Sequence, residues 1–201
     1  MRCSWITGSS VRLLAAIVTA VLIAGCGASG PKFRNSDVTG ADWGRELSLT
    51  DHTGKPRTLA DFPGKVVVVF FGYLHCPDVC PTTLADLKSV VDQLGEDGKR
   101  VQVLFVTVDP ERDTRELLAQ YVSAFHPDFL GLYGDLTQTA RTAKEFKVFF
   151  QKVAGSRPDN YSVDHTAGSY IFDTKGRLRL FVSHGQEHAL AADIRTLLKG
   201  N

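Results

Sequence analysis

Apolar positions downstream of residue 40 form two kinds of pattern, short continuous runs and helical repeats. The runs at Lys65–Tyr73 and Val101–Val108 consist largely of β-branched and aromatic residues, which is typical of strands buried on both faces. Between them, apolar residues recur at helical spacing over Pro81–Leu94, and proline is well suited to the first turn of a helix. The pattern therefore predicts a strand–helix–strand unit.

The remaining pattern predicts more helices, a second pair of strands and a hairpin at the N-terminal side. The predicted helices are Thr114–Phe125, Leu136–Phe146 and Glu187–Lys199, and the predicted strands are Ser169–Asp173 and Leu178–Val182. Alternation at Glu46–Leu49, followed by turn residues at Asp51–Pro56, predicts the N-terminal β-hairpin. Strand, helix, strand, helix, and then a hairpin with a closing helix, is the order of a thioredoxin-like α/β sandwich, which is the predicted fold class.

The N-terminal segment has the features of an export signal. Leu13–Ala24 is an uncharged apolar run of 12 residues, too short to span a bilayer core of about 30 Å and typical of a signal peptide. It leads into Ile23-Ala24-Gly25-Cys26, which resembles a bacterial lipobox, where the cysteine receives lipid after cleavage. We therefore expect a lipoprotein signal peptide over residues 1–25 and a lipid on Cys26. The alternative is an uncleaved amphipathic or membrane anchor.

This interpretation predicts three parts of the chain and one compartment. Residues 26–40 are rich in Gly, Ser and Asn and predict a flexible lipidated tether, and residues 41–201 form the folded domain. The protein is expected to be exported and anchored to a bacterial membrane facing the periplasm, with the inner membrane favoured. A formal net charge of +1 offers no basic surface for phosphates, which argues against nucleic acid as the main partner.

Two cysteines remain in the predicted domain, Cys76 and Cys80, and they lie where the first long strand leads into the first helix. The free N–H groups and the dipole at a helix N-terminus favour thiolate over thiol. Two sulfurs at this spacing can form a disulfide or chelate a soft metal ion. They can also be two unrelated thiols packed at the start of a helix.

A third ligand is needed if the pair binds metal. Two sulfurs rarely complete a structural zinc site, whereas two thiolates with one imidazole suit copper. His165 is the best candidate because it lies between a polar loop and the strand at Ser169–Asp173. Asp164 beside it is expected to order the loop or to set the hydrogen bonding of the imidazole. His184 and His188, four residues apart, could form only a weak exposed metal patch.

Three segments together resemble one family, the Sco/SenC proteins. The segments are Phe70–Thr83 (FFGYLHCPDVCPTT), Phe105–Thr114 (FVTVDPERDT) and Val163–Thr166 (VDHT). The resemblance implies a thioredoxin-like fold, membrane tethering, and a copper chaperone for the binuclear copper centre of cytochrome c oxidase subunit II. It implies copper ligands at Cys76, Cys80 and His165, and a role for Asp78 in handing the metal on. Leu74 and Thr166 depart from the usual pattern without removing a ligand.

One rival function uses the same cysteines. A thiol–disulfide oxidoreductase acting on the cysteines of the oxidase subunit would need an attacking and a resolving thiol. The three-residue gap differs from the two-residue gap of thioredoxin-type motifs, and this function leaves His165 without a task. A peroxidase is suggested by the fold class alone. The chaperone and the oxidoreductase both imply a partner, which is a periplasmic thiol reductant or an upstream copper donor. The sequence does not distinguish Cu(I) from Cu(II) as the cargo.

Overall fold

A computed structural model describes residues 30–157 and 160–200. The predicted signal peptide (1–25), the predicted lipidation site Cys26 and the first part of the predicted tether lie outside the described residues. Within the described part, no helix combines the length and the apolar character needed to cross a membrane. From Phe33 onward the chain forms one compact unit.

The described residues contain ten strands and four α-helices, with short 3-10 turns between some of them. The strands are β1 (Ser36–Asp37), β2 (Leu49–Asp51), β3 (Pro56–Arg57), β4 (Val66–Gly72), β5 (Val101–Thr107), β6 (Leu130–Tyr133), β7 (Phe150–Arg157), β8 (Asn160–His165), β9 (Gly168–Phe172) and β10 (Leu178–Ser183). The helices are α1 (Val79–Leu94), α2 (Arg115–Phe125), α3 (Leu136–Glu145) and α4 (Leu190–Leu198).

Eight of these strands form the main sheet, in the order β1-β10-β9-β4-β5-β6-β2-β3. β4, β5 and β6 are parallel, and β9 and β10 continue the sheet in antiparallel pairing on the other side of β4. Every residue of β4 and β5 is buried, so alternate side chains of each strand enter two separate apolar layers. This is the thioredoxin-like α/β sandwich that the sequence predicts.

Helices cover both faces of the sheet. On one face, alternate residues of β4 such as Phe70 pack with side chains of α1, α2 and α4, including Leu84 and Ile194. On the other face, the intervening residues such as Phe71 pack with Phe146 at the end of α3 and with the N-terminal segment. Because the central strands are held from both sides, the loop that follows β4 projects from a rigid edge.

Most of the predicted elements are confirmed with small shifts at their ends. α1 begins at Val79, so Pro81 lies in its first turn as expected. α2 is capped by Thr114, whose side chain accepts a hydrogen bond from the Leu117 N–H at 3.3 Å. The N-terminal hairpin is present as β2 and β3. The closing helix starts as a separate 3-10 turn at Glu187–Ala189 before α4 begins.

The structure differs from the sequence prediction in the last part of the tether. Ser36 and Asp37 pair with β10 as an antiparallel strand. Asn35 donates to the buried carboxylate of Asp193 through its backbone N–H (3.0 Å) and its side-chain amide (2.8 Å). The folded domain therefore begins before residue 41, because these polar residues find partners that are distant in sequence.

A second difference concerns the segment that leads to His165. The predicted polar loop is instead an antiparallel hairpin, β7–β8, which forms a two-stranded sheet apart from the main one. His165 is the last residue of β8 and pairs with Phe150 at the start of β7. The short strand β6 was also absent from the sequence prediction.

Candidate metal centre

The two cysteines lie in the turn between β4 and α1. The chain reverses after Tyr73, whose carbonyl accepts a hydrogen bond from the Cys76 N–H at 3.2 Å. Cys80 is the second residue of α1, is fully buried, and donates its backbone N–H to the Cys76 sulfur at 3.4 Å. Both cysteines are free thiols. The turn and the helix N-terminus therefore bring the two sulfurs together at the edge of the sheet.

Their surroundings make the two thiols unequal. A hydrogen bond from the Cys80 thiol, together with backbone N–H groups of Cys80 and Asp78 and the nearby His165, lowers the pKa of Cys76 to about 5. The same hydrogen bond to Cys76, reinforced by burial, raises the pKa of Cys80. Near neutral pH, Cys76 is therefore the thiolate and Cys80 holds its proton toward it.

We expect alkylation of Cys76 in the reduced protein to keep its full rate from pH 8 down to about pH 6. The rate should fall below pH 5, because the thiolate is the nucleophile. Cys80→Ala removes the hydrogen bond that contributes most and should move this fall toward higher pH. The measurement is the pH profile of iodoacetamide labelling, read by mass spectrometry. A rate that declines below pH 8 in the wild-type protein would contradict the arrangement.

His165 is brought to the thiol pair by the β7–β8 hairpin. Its Nε2 atom lies 3.9 Å from the Cys80 sulfur, although the two residues are 85 positions apart. Its Nδ1 atom lies 3.1 Å from the Val163 carbonyl, which can only accept a hydrogen bond. We therefore assign the ring proton to Nδ1, which leaves the Nε2 lone pair directed toward the sulfur. The Tyr73 ring packs edge-on against the imidazole, with 5.7 Å between ring centroids.

These donors fit a soft metal ion of low coordination number. Zinc, for example, bonds sulfur at about 2.3 Å and imidazole nitrogen at about 2.0 Å. The Cys80 sulfur and His165 Nε2, 3.9 Å apart, are close enough for one ion to bind both. Within residues 30–157 and 160–200, no three His, Cys, Asp or Glu side chains stand as a ready metal site. Cys76, Cys80 and His165 are neighbours that would have to close slightly around an ion.

The two carboxylates that the sequence analysis assigns to the site, Asp164 and Asp78, are both exposed. Asp164 is exposed, and the Val163 carbonyl, at 3.1 Å, is the hydrogen-bond acceptor that the structure shows for His165 Nδ1, so a role of Asp164 in ordering this segment stays a prediction. Neighbouring residues of a strand point to opposite faces, which separates Asp164 from His165. Asp78 is exposed at the N-terminal end of α1, and its side chain accepts a hydrogen bond from Thr82 at 3.3 Å.

Two residues of the site were not singled out by the sequence analysis. The Tyr73 carbonyl accepts from the Cys76 N–H at 3.2 Å, and its ring packs edge-on against His165, so Tyr73 touches both halves of the site. The buried carboxylate of Asp113 accepts from the Leu74 N–H (3.1 Å) and the Thr107 hydroxyl (2.6 Å), and this holds the cysteine loop on β5. Tyr73 and Asp113 both lie in the motifs that resemble the family. Their positions, as polar residues directly after a buried strand or close to its end, could have indicated a role in the site.

The other histidines have different surroundings. His75 lies 3.9 Å from Asp113 through its Nδ1 atom. His184 contacts the Thr83 hydroxyl at 2.9 Å, and His188 is exposed. No metal-binding group involving His184 and His188 is present among the described residues.

Comparison with known proteins places this geometry in a family. The sequence model described as SCO1/SenC matches residues 36–199. The chain belongs to the SCO1/SenC family. It is 44% identical over 133 residues to the mitochondrial SCO2 homolog of Bos taurus, covering 65% of this chain and 50% of that protein. It is 33% identical over 159 residues to a SCO2-like protein of Rickettsia felis, covering 79% and 76%. The chain thus spans about half the length of the mitochondrial relative.

Solved structures of Sco proteins share the fold. Copper-bound ScoI of Bradyrhizobium japonicum is 38% identical, with a TM-score of 0.68 over 78% of this chain and 99% of that one. Apo Sco1 of Thermus thermophilus is 39% identical, with a TM-score of 0.74 over 84% and 99%. Homologous Sco structures from Arabidopsis thaliana and yeast also contain copper. The resemblance predicted from the three motifs is therefore confirmed.

Proposed function

We propose that this protein is a copper chaperone that carries one copper ion on the Cys76 and Cys80 sulfurs and the His165 imidazole. The observation that carries the proposal is the approach of His165 Nε2 to within 3.9 Å of the Cys80 sulfur across 85 residues of sequence. Two thiolates and one neutral imidazole form a donor set that copper favours over hard cations. Copper in the homologous Sco structures supports the same cargo.

The cargo is proposed to go to the binuclear copper site of cytochrome c oxidase subunit II. A related protein, BsSco, is described as a member of the Sco family of cytochrome c oxidase assembly proteins. Three protein ligands leave room for a cysteine or histidine of the acceptor to bind before the first donor ligand leaves. Cys76 is the more exposed of the two thiols. Asp78, two residues further on, is exposed as well, so an acceptor would approach the site from this side.

Copper titration of residues 33–201, which form the compact unit, tests the ligand set. We expect one Cu(I) per reduced wild-type chain in competition with a chromophoric chelator. Cys76→Ser and Cys80→Ser should abolish tight binding, and His165→Ala should weaken it by about tenfold or more. His188→Ala, which changes an exposed histidine, is the matched control and should bind as the wild type does. Unchanged affinity in His165→Ala would remove the imidazole from the proposed site.

Transfer is tested by mixing the loaded domain with the apo copper-binding domain of an oxidase subunit II. Appearance of the acceptor's binuclear-centre absorption, with loss of copper from the donor, supports delivery. If the acceptor stays colourless while the donor keeps its copper, the delivery step is refuted even though the binding site stands.

One observation favours a second function, reduction of a disulfide in the acceptor. Cys76 is a stabilised thiolate beside the protonated Cys80, which is the arrangement of an attacking and a resolving thiol. The Cys76 thiolate would break the acceptor disulfide and form a mixed disulfide. Cys80 would lose its proton and attack Cys76, releasing the second acceptor thiol and closing a Cys76–Cys80 disulfide. Two electrons pass to the acceptor, and this activity should survive in His165→Ala.

The location is proposed from the sequence alone: export, lipid on Cys26, and attachment to a bacterial membrane facing the periplasm. A lipoprotein of this family from Bacillus anthracis is similar in fold. Metabolic labelling with a fatty acid should mark the wild type and Cys3→Ser but not Cys26→Ser. A wild-type protein that takes up no label and keeps residues 1–25 would favour the uncleaved anchor instead.

A further inference from the structure

The β7–β8 hairpin that presents His165 does not belong to the main sheet. Its two strands pair only with each other within the described residues, and Gln151–Ser156 of β7 is exposed throughout. A free hairpin of two strands has little stability of its own. The position of the imidazole relative to the thiols therefore depends on side-chain contacts that fix the hairpin to the domain.

Three side chains make polar contacts of this kind that are largely shielded from solvent. Arg112 Nη1 donates to the Tyr161 carbonyl on β8 at 2.9 Å, and Arg112 Nε donates to Asp109 Oδ2 at 2.5 Å. The Tyr161 hydroxyl donates to Asp109 Oδ1 at 2.7 Å, which closes the triangle. The Arg112 guanidinium also lies over the Tyr161 ring, 3.5 Å from its centroid. We call Asp109, Arg112 and Tyr161 the latch.

The latch is built to be rigid. The Asp109 side chain is fully buried and that of Arg112 is 18% exposed, so their ion pair is weakly screened by solvent. The planar guanidinium donates in two directions and stacks on an aromatic face, which lysine cannot reproduce. Asp109 and Arg112 belong to the loop after β5, which is the centre of the main sheet. The latch therefore ties β8 to the most firmly packed part of the domain.

Tyr73 extends this connection to the metal donors. Tyr73 and Val163 are buried in the same apolar cluster, and the Val163 carbonyl accepts from the His165 ring. The Arg112 guanidinium lies 6.0 Å from the centre of the Tyr73 ring, which itself packs on His165. β8 is thus held at Tyr161 and at Val163, the two positions that precede the ligand on alternate residues.

We propose that Asp109, Arg112 and Tyr161 are positioning residues, which hold the β7–β8 hairpin so that His165 stays at ligand distance from the thiol pair. This inference rests on the proposed function and specifies how that site is assembled. Without the latch, the hairpin would retain its own pairing but the imidazole would sample positions away from the sulfurs. Metal binding would then have to order the hairpin, which lowers affinity.

The hairpin and the same loop also share an exposed ion pair, Lys152 with Glu111, which provides a matched control. Its side chains are 44% and 47% exposed, and such surface pairs contribute little. We expect Arg112→Lys and Tyr161→Phe to lower the Cu(I) affinity of residues 33–201 by about tenfold, within the range seen for residues that orient metal ligands. Lys152→Gln should leave the affinity unchanged. In the metal-free protein, amide hydrogen exchange in β8 should be faster in Arg112→Lys than in the wild type and unchanged in Lys152→Gln.

A double-mutant cycle separates positioning from general damage. Arg112→Lys should cost affinity in the wild-type background and cost nothing further in His165→Ala, because its effect passes through the imidazole. Equal losses in both backgrounds, or no loss in Arg112→Lys and Tyr161→Phe, overturn the latch and leave the ligand set intact. If His165→Ala itself binds copper like the wild type, the proposed ligand set fails instead. Tyr161→Phe keeps the aromatic ring and the Arg112 contact with the Tyr161 carbonyl. It replaces Arg112→Lys in the same cycle if Arg112→Lys does not fold.

Discussion

Gly72→Ala is expected to disrupt the metal centre without changing any proposed ligand. A Cβ atom at this position would lie 2.8 Å from the Cys80 sulfur and 2.8 Å from Cε2 of Phe105. Cys80 and Phe105 are both fully buried, so neither side chain can move into solvent. We expect a loss of about 1–3 kcal/mol in the free energy of unfolding, as for other overpacked cores. Copper affinity should fall about 10- to 100-fold because the sulfur is displaced.

Urea denaturation and copper competition on the same preparation measure both effects. Gly30→Ala, made with Gly72→Ala in a protein that includes residue 30, is the control, since its added Cβ meets nothing within 4 Å and its backbone is not in the left-handed region. It should match the wild type in stability and in copper affinity. A Gly72→Ala protein with wild-type copper affinity would show that the Cys80 sulfur is not confined as the structure places it.

Asp113→Asn is expected to change how stability depends on pH. Burial raises the pKa of Asp113 to about 6, although the carboxylate accepts two hydrogen bonds from Thr107 and Leu74. Because the folded-state pKa exceeds the unfolded value near 3.8, the folded protein binds this proton more tightly. The resulting stabilisation is complete below pH 3.8 and is lost as pH rises through 6.

Asparagine has nearly the same shape as aspartic acid and does not titrate. The stability of Asp113→Asn therefore lacks the pH-dependent contribution of the Asp113 carboxyl. Between pH 4 and pH 7 the unfolding free energy of Asp113→Asn should rise by about 2 kcal/mol relative to the wild type. Denaturation curves across that range give the difference. Asp164→Asn, which neutralises an exposed carboxylate near the same site, is the control. A wild-type-to-variant difference that stays constant from pH 4 to pH 7 would mean that Asp113 is ionised throughout.

The central strands and α1 could be predicted because their signals are local. β4 and β5 are continuous apolar runs that are buried on both faces. In α1 the apolar residues recur at helical spacing within a single segment of the sequence. The cysteine loop follows directly from their order. His165 is predicted from its place beside a strand and from the family resemblance, whereas the β7–β8 hairpin that positions it is not predicted from the sequence.

The hairpin was missed because distant contacts order it. β7 is exposed and its sequence from Gln151 to Ser156 lacks a clear apolar alternation. The contacts that hold β8 come from Asp109 and Arg112, 52 and 49 residues from Tyr161. The same strand explains why Val163, and not Asp164, faces the ring nitrogen of His165. A residue next to His165 in a loop can turn toward the ring, whereas in a strand it faces the other side.

If Cys26 carries a lipid as proposed, the early start of the domain would limit how far the folded part can stand from a bilayer. β1 runs antiparallel to β10, so Asn35 lies near Ser183, at the sheet edge where Gly168 begins β9 and β4 ends. Phe33 is seven residues from Cys26, and an extended chain covers at most about 3.5 Å per residue. A lipid on Cys26 would therefore keep Phe33 within about 25 Å of the headgroups. A lipidated protein would then meet its acceptors from a domain that starts close to the membrane surface.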